Sequence, residues 1–261
     1  MKVLPPGTLL QLMYLRERLE RIPAGTFAEV GPGSGEITRL LLDMGWSGSA
    51  YDLGENTIAD LKERFAAEIS ADRIAVLNQD FLLSSPQNSV DLVISCMVME
   101  HLDDALQTQF MRVASRALKA NGRMISLVPS SPAHWGIEDD IAGHCRRYTR
   151  PDVARLASDN HWDLLHVAGL TFPVSNLLLP VSNYLVRRSE GQKLALSALE
   201  RTKLSGRRQV KYKTHFPSLL GLLLNEYTLY PFHLLQKFFA KSDRALVLLF
   251  EAVPGVQGPR P

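Results

Sequence analysis

Three glycines at alternate positions, Gly31, Gly33 and Gly35, stand in the run FAEVGPGSGEI, two residues beyond Glu29. A backbone without Cβ atoms can pass close to a ligand at such a turn. The dinucleotide pattern GxGxxG would need a glycine at position 36, which is Glu36, and the GK[ST] ending of a nucleoside triphosphate loop is missing. A carboxylate next to the turn also disfavours a pyrophosphate, so the expected ligand carries a cationic part. A second concentration of chemistry lies in PSSPAHWGIEDDIAGHCRRYTRPD, where His134, Trp135, Asp139, Asp140, His144, Arg146, Arg147 and Tyr148 fall within 15 residues. His144 is the candidate general base, because imidazole titrates near neutrality and suits deprotonation of a hydroxyl. Tyr148 and His134 are the other catalytic candidates. Arg146 and Arg147 have the guanidinium fork that holds a carboxylate or phosphate, and with Trp135 they form the candidate substrate-binding set. The alternative is structural: His144 and Tyr148 bonded to backbone, the arginines paired with Glu138, Asp139 or Asp140. Two adjacent carboxylates without further oxygen ligands do not make a magnesium site, and no metal is expected.

Elements that must hold these residues follow from hydrophobic spacing. Residues 8–22 have apolar positions three and four apart, the mark of an amphipathic helix. Strands are expected at 26–30, 49–53, 73–78, 90–96 and 123–128. Helices are expected at 37–44, 56–69 and 103–120. This alternation indicates βαβ units and a mainly parallel, doubly wound α/β sheet. Further on, Thr149, Pro151 and Asp152 read as the start of a helix reaching about 160. Strands at 163–170 and 245–251 follow, and more than 70 residues lie between them. The expected division is an N-terminal helix (1–24), a ligand-binding domain (25–172 with 244–254) and a mainly helical insertion (173–243).

Acid-Val-Gly-Pro-Gly-Ser-Gly resembles the first motif of class I S-adenosylmethionine-dependent methyltransferases, and the likeness continues in family order over about residues 25–130. It implies that Glu29, Gly31, Gly33 and Gly35 border the cofactor. Asp52, 17 residues after Gly35, would bind both ribose hydroxyls, a task for which a carboxylate is a natural bidentate acceptor, with Leu53 beside it. Asp80 would meet the adenine amino group and Phe81 stack on the ring. Ser95 and Met97 would line the cofactor after the fourth strand, with His101 ordering the loop. The resemblance also implies a seven-stranded sheet whose last strand runs antiparallel, S-adenosyl-L-methionine as cofactor and S-adenosyl-L-homocysteine as product. Gly-His-x-Arg-Arg-Tyr, at 143–148, resembles a segment of bacterial methyltransferases near glycan, lipid and natural-product biosynthesis. By analogy with open α/β sheets, where ligands bind beyond the carboxyl ends of the strands, this loop is expected over the methyl group.

The family's signature for amide or nucleobase nitrogen, an Asn/Asp-Pro-Pro-Tyr run, is replaced here by Ser95-Cys96-Met97-Val98. Nucleic acid is therefore not an expected partner. The expected reaction is O-methylation of a small or lipid-linked metabolite such as a sugar, glycolipid or natural product. The alternatives are C- or N-methylation of a natural product or quinone, and a non-catalytic cofactor-binding subunit. Between residues 187 and 215 nine Lys/Arg face two Glu, so this segment is +7 and the rest of the chain −5 for the net +2. The stretch 216–239 is rich in Leu and aromatics, but Glu226, His233, Lys237 and two prolines argue against a membrane span. A lid and an interfacial membrane contact are the two expectations for this insertion. Cys96 and Cys145 belong to no metal or disulfide spacing, and the N-terminus has no signal-like apolar stretch. A cytoplasmic, reducing location with peripheral membrane association as an option is expected. Oligomeric state is left open.

Overall fold

Segments of four to twelve residues, separated by helices, form seven strands in the computed structural model, which describes residues 3–190 and 216–255. They are β1 (Thr26–Val30), β2 (Ser47–Tyr51), β3 (Ile74–Leu77), β4 (Val90–Cys96), β5 (Leu118–Pro129), β6 (Trp162–Leu170) and β7 (Val247–Pro254). The helices are α1 (Pro6–Leu19), α2 (Glu36–Asp43), α3 (Glu55–Arg64), α4 (Ala66–Ser70), α5 (Phe81–Ser84), α6 (Asp104–Ala117), α7 (Ile137–Ala142), α8 (Arg150–Asp159), α9 (Val174–Glu190) and α10 (Glu226–Phe238). The sheet order is β3-β2-β1-β4-β5-β7-β6, with β1 to β5 parallel and one antiparallel strand. This is the doubly wound α/β sheet that the alternating elements call for. β4 is buried along most of its length, as a strand covered on both faces must be.

Local differences from expectation have local causes. The helix expected over 56–69 is two helices, broken at Phe65 (φ −112°, ψ 24°). Phe65 is fully buried and receives the guanidinium groups of Arg39 and Arg64 over its ring. β5 starts five residues earlier than expected, taking over residues assigned to the end of α6, and its pairing with β4 shifts register between Val90 and Leu92. The start of α8 follows the sequence closely: Thr149 Oγ1 accepts from the Asp152 amide while the Asp152 carboxylate accepts from the Thr149 amide, a reciprocal capping box.

The chain divides into two compact units. One comprises Ala24–Val128, Tyr148–Val167 and the chain from Leu249, and so holds most of the sheet with α2 to α6 and α8. The other runs up to Pro23, from Pro129 to Arg147 and from Ala168 to Leu248. In it α1 packs against α10 and α9, and Leu9, Leu10 and Met13 of α1 form a small core with Leu229. The N-terminal helix and the insertion thus share one unit. Most of the basic segment expected to mark the insertion, 191–215, lies outside the described residues.

Candidate functional site

Strand register places the ends of four strands in one row: Val30 of β1 pairs with Tyr51 of β2 and Ser95 of β4, and Tyr51 pairs with Leu77 of β3. The order of the sheet reverses between β1 and β4, where open α/β sheets leave a crevice beyond the strand ends. The glycine turn follows β1 at this point. Gly31, Gly33 and Gly35 all have left-handed φ (69°, 52° and 78°), which a residue with Cβ adopts only at a cost. Crowding adds to the requirement, since a Cβ on Gly31 would lie 2.5 Å from Val98 Cγ2 and one on Gly35 2.7 Å from Leu61 Cδ2. The Gly31 amide donates to the Tyr51 carbonyl at 3.0 Å, tying the turn to β2.

Glu29 lies inside the sheet, buried beneath this turn, and its Oε2 accepts from Thr38 Oγ1 at 2.5 Å. Burial pushes its carboxyl up to about 7, with the Thr38 hydroxyl acting in the opposite direction. Between about pH 4.5 and pH 7 the folded chain therefore retains a proton that the unfolded chain has released, and stability falls as pH rises through that window. Glu29→Gln removes this loss. Urea unfolding at pH 5 and pH 8 is expected to show a variant close to wild type at the lower pH and more stable at the higher one, by on the order of 3 kcal/mol. A gap that does not change with pH would mean that Glu29 is ionised throughout.

Asp52 follows β2 directly and is half-buried, its Oδ1 accepting the Gly54 amide at 2.7 Å. Burial raises its pKa, while the Gly54 and Leu53 amides lower it. Leu53 beside it is 60% exposed, an apolar surface next to an acid. Asp80 caps α5, with Oδ1 accepting the Leu82 amide at 2.8 Å, and Oδ2 is not used in that cap. Phe81 departs from the expected ring-stacking position. The cap turns the chain into α5 and directs Phe81 inward, where it is 2% exposed and packs edge-on to Tyr51 and against Phe110.

At the end of β4, Ser95 is likewise internal. Its hydroxyl lies 2.9 Å from that of Ser126 on β5, so it joins two strands and does not line a cavity. Met97 is half-buried with φ 55° and donates its amide to Leu127, so the chain leaves β4 sharply here. Burial, with Glu100 and Glu29 nearby, pushes the Cys96 thiol up to about 12, which leaves it neutral and unsuited as a nucleophile. His101 closes a short 3₁₀ turn, Met99–His101, and is half-buried.

In the other unit, the segment Pro129–Arg147 is organised by Asp139. This side chain is completely buried; Oδ1 lies 2.8 Å from His144 Nδ1 and accepts Arg147 Nε at 2.8 Å, while Oδ2 accepts the Gly136 amide at 2.8 Å. Burial pushes the carboxyl up, but the bonds from His144 and Arg147 more than offset it and hold it at about 2. The Asp139 carboxylate thereby orients the His144 ring through Nδ1. Gly143, in the left-handed region at φ 74°, ends α7 and turns His144 back toward the Asp139 it follows by five residues.

Two candidates between β5 and α8 have other tasks. Arg147, expected to hold a substrate anion, is almost wholly buried and engaged by Asp139 and by the Ser130 carbonyl at 2.9 Å. Tyr148, expected among the catalytic residues, is buried and donates its hydroxyl to the Met99 carbonyl at 3.0 Å. Asp140 accepts Trp135 Nε1 at 2.9 Å. Trp135 remains partly exposed, Arg146 is half-buried, and His134 Nδ1 lies 2.8 Å from Ser131 Oγ. Asp139 and Thr38 are the residues that sequence reasoning did not single out for this task. The acid five positions before His144 across a glycine was the available signal for the first; nothing in sequence marks the second.

Residues 28–126 match the family model described as a methyltransferase domain. No curated protein matches the chain. Among solved structures, phosphoethanolamine N-methyltransferase 2 of Haemonchus contortus, in complex with S-adenosyl-L-methionine, is similar over 94% of this chain and 52% of its own, with a TM-score of 0.57 and 17% identity. Geranyl diphosphate methyltransferase in complex with the same molecule is similar over 94% of this chain and 84% of its own (TM-score 0.57, 14% identity). The pyocyanin biosynthetic protein PhzM is similar over 62% of this chain (TM-score 0.52, 19% identity), and the match spans about half of that protein, 51%.

Proposed function

We propose that the chain, whose residues 28–126 match the family model described as a methyltransferase domain, is a class I S-adenosylmethionine-dependent methyltransferase that methylates a hydroxyl of a small or lipid-linked metabolite with His144 as general base. The observation that carries the choice of a hydroxyl is the buried Asp139–His144 pair. An amine at neutral pH can shed its proton to water, and a thiol ionises readily. An alcohol needs a base held in the right tautomer at the moment of transfer.

The residues of the glycine turn suit this cofactor. Asp52 offers a carboxylate to a ribose diol, Leu53 an exposed apolar face to a purine, and the bare backbone at Gly31 to Gly35 a close approach for the methionine part. Asp80 Oδ2 is disposed to accept from an exocyclic amino group. When bound, S-adenosyl-L-methionine supplies a methyl carbon already activated by its sulfonium sulfur and leaves as S-adenosyl-L-homocysteine. What remains for the chain is to orient the acceptor, exclude water and take one proton. In this reading His144 Nε2 takes that proton from the acceptor oxygen, and Asp139 stabilises the imidazolium that results. Trp135 and Arg146 are the groups proposed to hold the acceptor.

The test is product analysis. The purified chain with methyl-labelled cofactor is offered glycosides, polyprenyl-linked sugars and phenols beside matched amines and carbon nucleophiles. Methyl ethers are the expected products. Label appearing only on nitrogen or carbon would remove the hydroxyl acceptor, and with it the role given to His144.

A further inference from the structure

α10 is inside out. Its buried positions, Leu229, His233 and Gln236, follow helical spacing toward α1, and two of the three are polar. His233 Nε2 lies 2.7 Å from Glu17 Oε1. Gln236 donates to the Leu10 carbonyl at 2.8 Å and accepts the Thr171 amide at 2.9 Å. These bonds fix which side of the helix faces its own unit. The outward side carries Tyr227, Tyr230, Phe232, Leu234, Leu235 and Phe238, with Tyr227 92% and Phe238 81% exposed. Single exposed apolar residues are ordinary, but a whole helix face of them is not.

The same pattern recurs on the neighbouring elements of this unit. α9 exposes Leu177, Val181 and Tyr184, spaced four and three apart on one face, and ends in the exposed Arg187 and Arg188. The 3₁₀ turn Ser218–Leu222 and its exit expose Leu219, Leu222 and Leu223. Both α9 and α10 are seated on α1. In sequence, the stretch between α9 and this turn carries Lys193, Arg201, Lys203, Arg207, Arg208, Lys211 and Lys213 against Glu200 alone.

We propose that these helix faces dock on an anionic lipid surface. Apolar side chains with tyrosines among them suit the boundary between headgroups and acyl chains. The exposed Arg187 and Arg188 at the end of α9 complement anionic headgroups. The proposed contact is a peripheral one; among the described residues no helix is long and apolar enough to cross a membrane. Charge selects this occupant over a second copy of the chain, because the exposed Arg187 and Arg188 find counter-charges in anionic headgroups, whereas a second copy would add the same two cations. A surface of this kind would hold the chain where a lipid-linked acceptor resides, but the docking stands or falls independently of the methyl acceptor.

The test is flotation of the full chain with phosphatidylcholine vesicles and with vesicles containing phosphatidylglycerol as well. Wild type is expected to float with the anionic vesicles and to be released by high salt. The double variant Tyr227→Ser/Phe238→Ser, altered only at exposed positions and checked by its melting curve, is expected to bind at least about tenfold more weakly. Arg187→Gln/Arg188→Gln is expected to weaken binding to anionic vesicles while the apolar faces stay intact. Wild type remaining unbound to both vesicle types would overturn the proposal, as would variants that float like wild type. A dimer in solution that Tyr227→Ser/Phe238→Ser dissociates, without vesicle binding, would assign the face to self-association instead.

Discussion

His144→Ala is expected to slow methyl transfer to a hydroxyl by roughly 10²–10⁴-fold, the range a positioned general base supplies, while S-adenosyl-L-homocysteine binds within about twofold of wild type. The two readouts separate loss of a base from loss of the fold around it. Asp139→Asn tests the partner. Asn keeps the size of the side chain but loses the charge that balances an imidazolium, and its amide can turn either face to Nδ1. Because Asp139 also accepts from Arg147 and from the Gly136 amide, removing its charge strains the whole segment. Asp139 acts through His144, so the measurement that identifies it is the pH–rate profile: the limb assigned to the base should move in Asp139→Asn and vanish in His144→Ala. A mere packing role would lower the rate without moving the limb. Near wild-type turnover in His144→Ala, with methyl ethers still formed, would take the base away from this residue and leave the enzyme class untouched.

How much of this was legible in sequence depended on whether a residue's task is set by its neighbours in the chain or by its neighbours in space. β1 and β4 end where their apolar runs end, and the glycine turn is visible because left-handed backbone in a crowded place leaves few alternatives to glycine. Thr149 and Asp152 announce a helix start for a local reason as well, since the capping box lies within four residues. Orientation is another matter. Phe81 and Ser95 stand in the right place along the chain, yet the cap at Asp80 turns one inward and the strand's alternation buries the other against Ser126. Arg147 has the fork that binds anions, and it does bind one, the carboxylate of Asp139. The pairing of Asp139 with His144 required the left-handed turn at Gly143, which residue types alone do not announce. α10 misleads for the opposite reason: a Leu-rich and aromatic helix invites burial of that face, whereas specific bonds from His233 and Gln236 decide the matter.

Asp52→Ala is expected to weaken S-adenosyl-L-methionine and S-adenosyl-L-homocysteine alike, by roughly 10²–10³-fold. The two molecules share the ribose, and hydrogen bonds to a charged acceptor contribute about 1.5–3 kcal/mol each. Equal loss for both ligands is the important part of this expectation. A residue near the sulfonium would discriminate between the cationic substrate and the neutral thioether product; a residue at the ribose would not. Asp52 is half-buried at the end of β2 and its Oδ1 already accepts the Gly54 amide, so Asp52→Asn provides the companion measurement. The amide can keep the Gly54 bond and the local turn, but it offers one acceptor atom where a diol needs two, so most of the affinity should still be lost. Calorimetric titration of wild type and both variants, with melting curves to establish folding, separates the outcomes. Loss in both variants with the fold retained assigns the diol to this carboxylate. Loss in Asp52→Ala alone would mean that Asp52 serves the turn before α3 and that the ribose is held elsewhere.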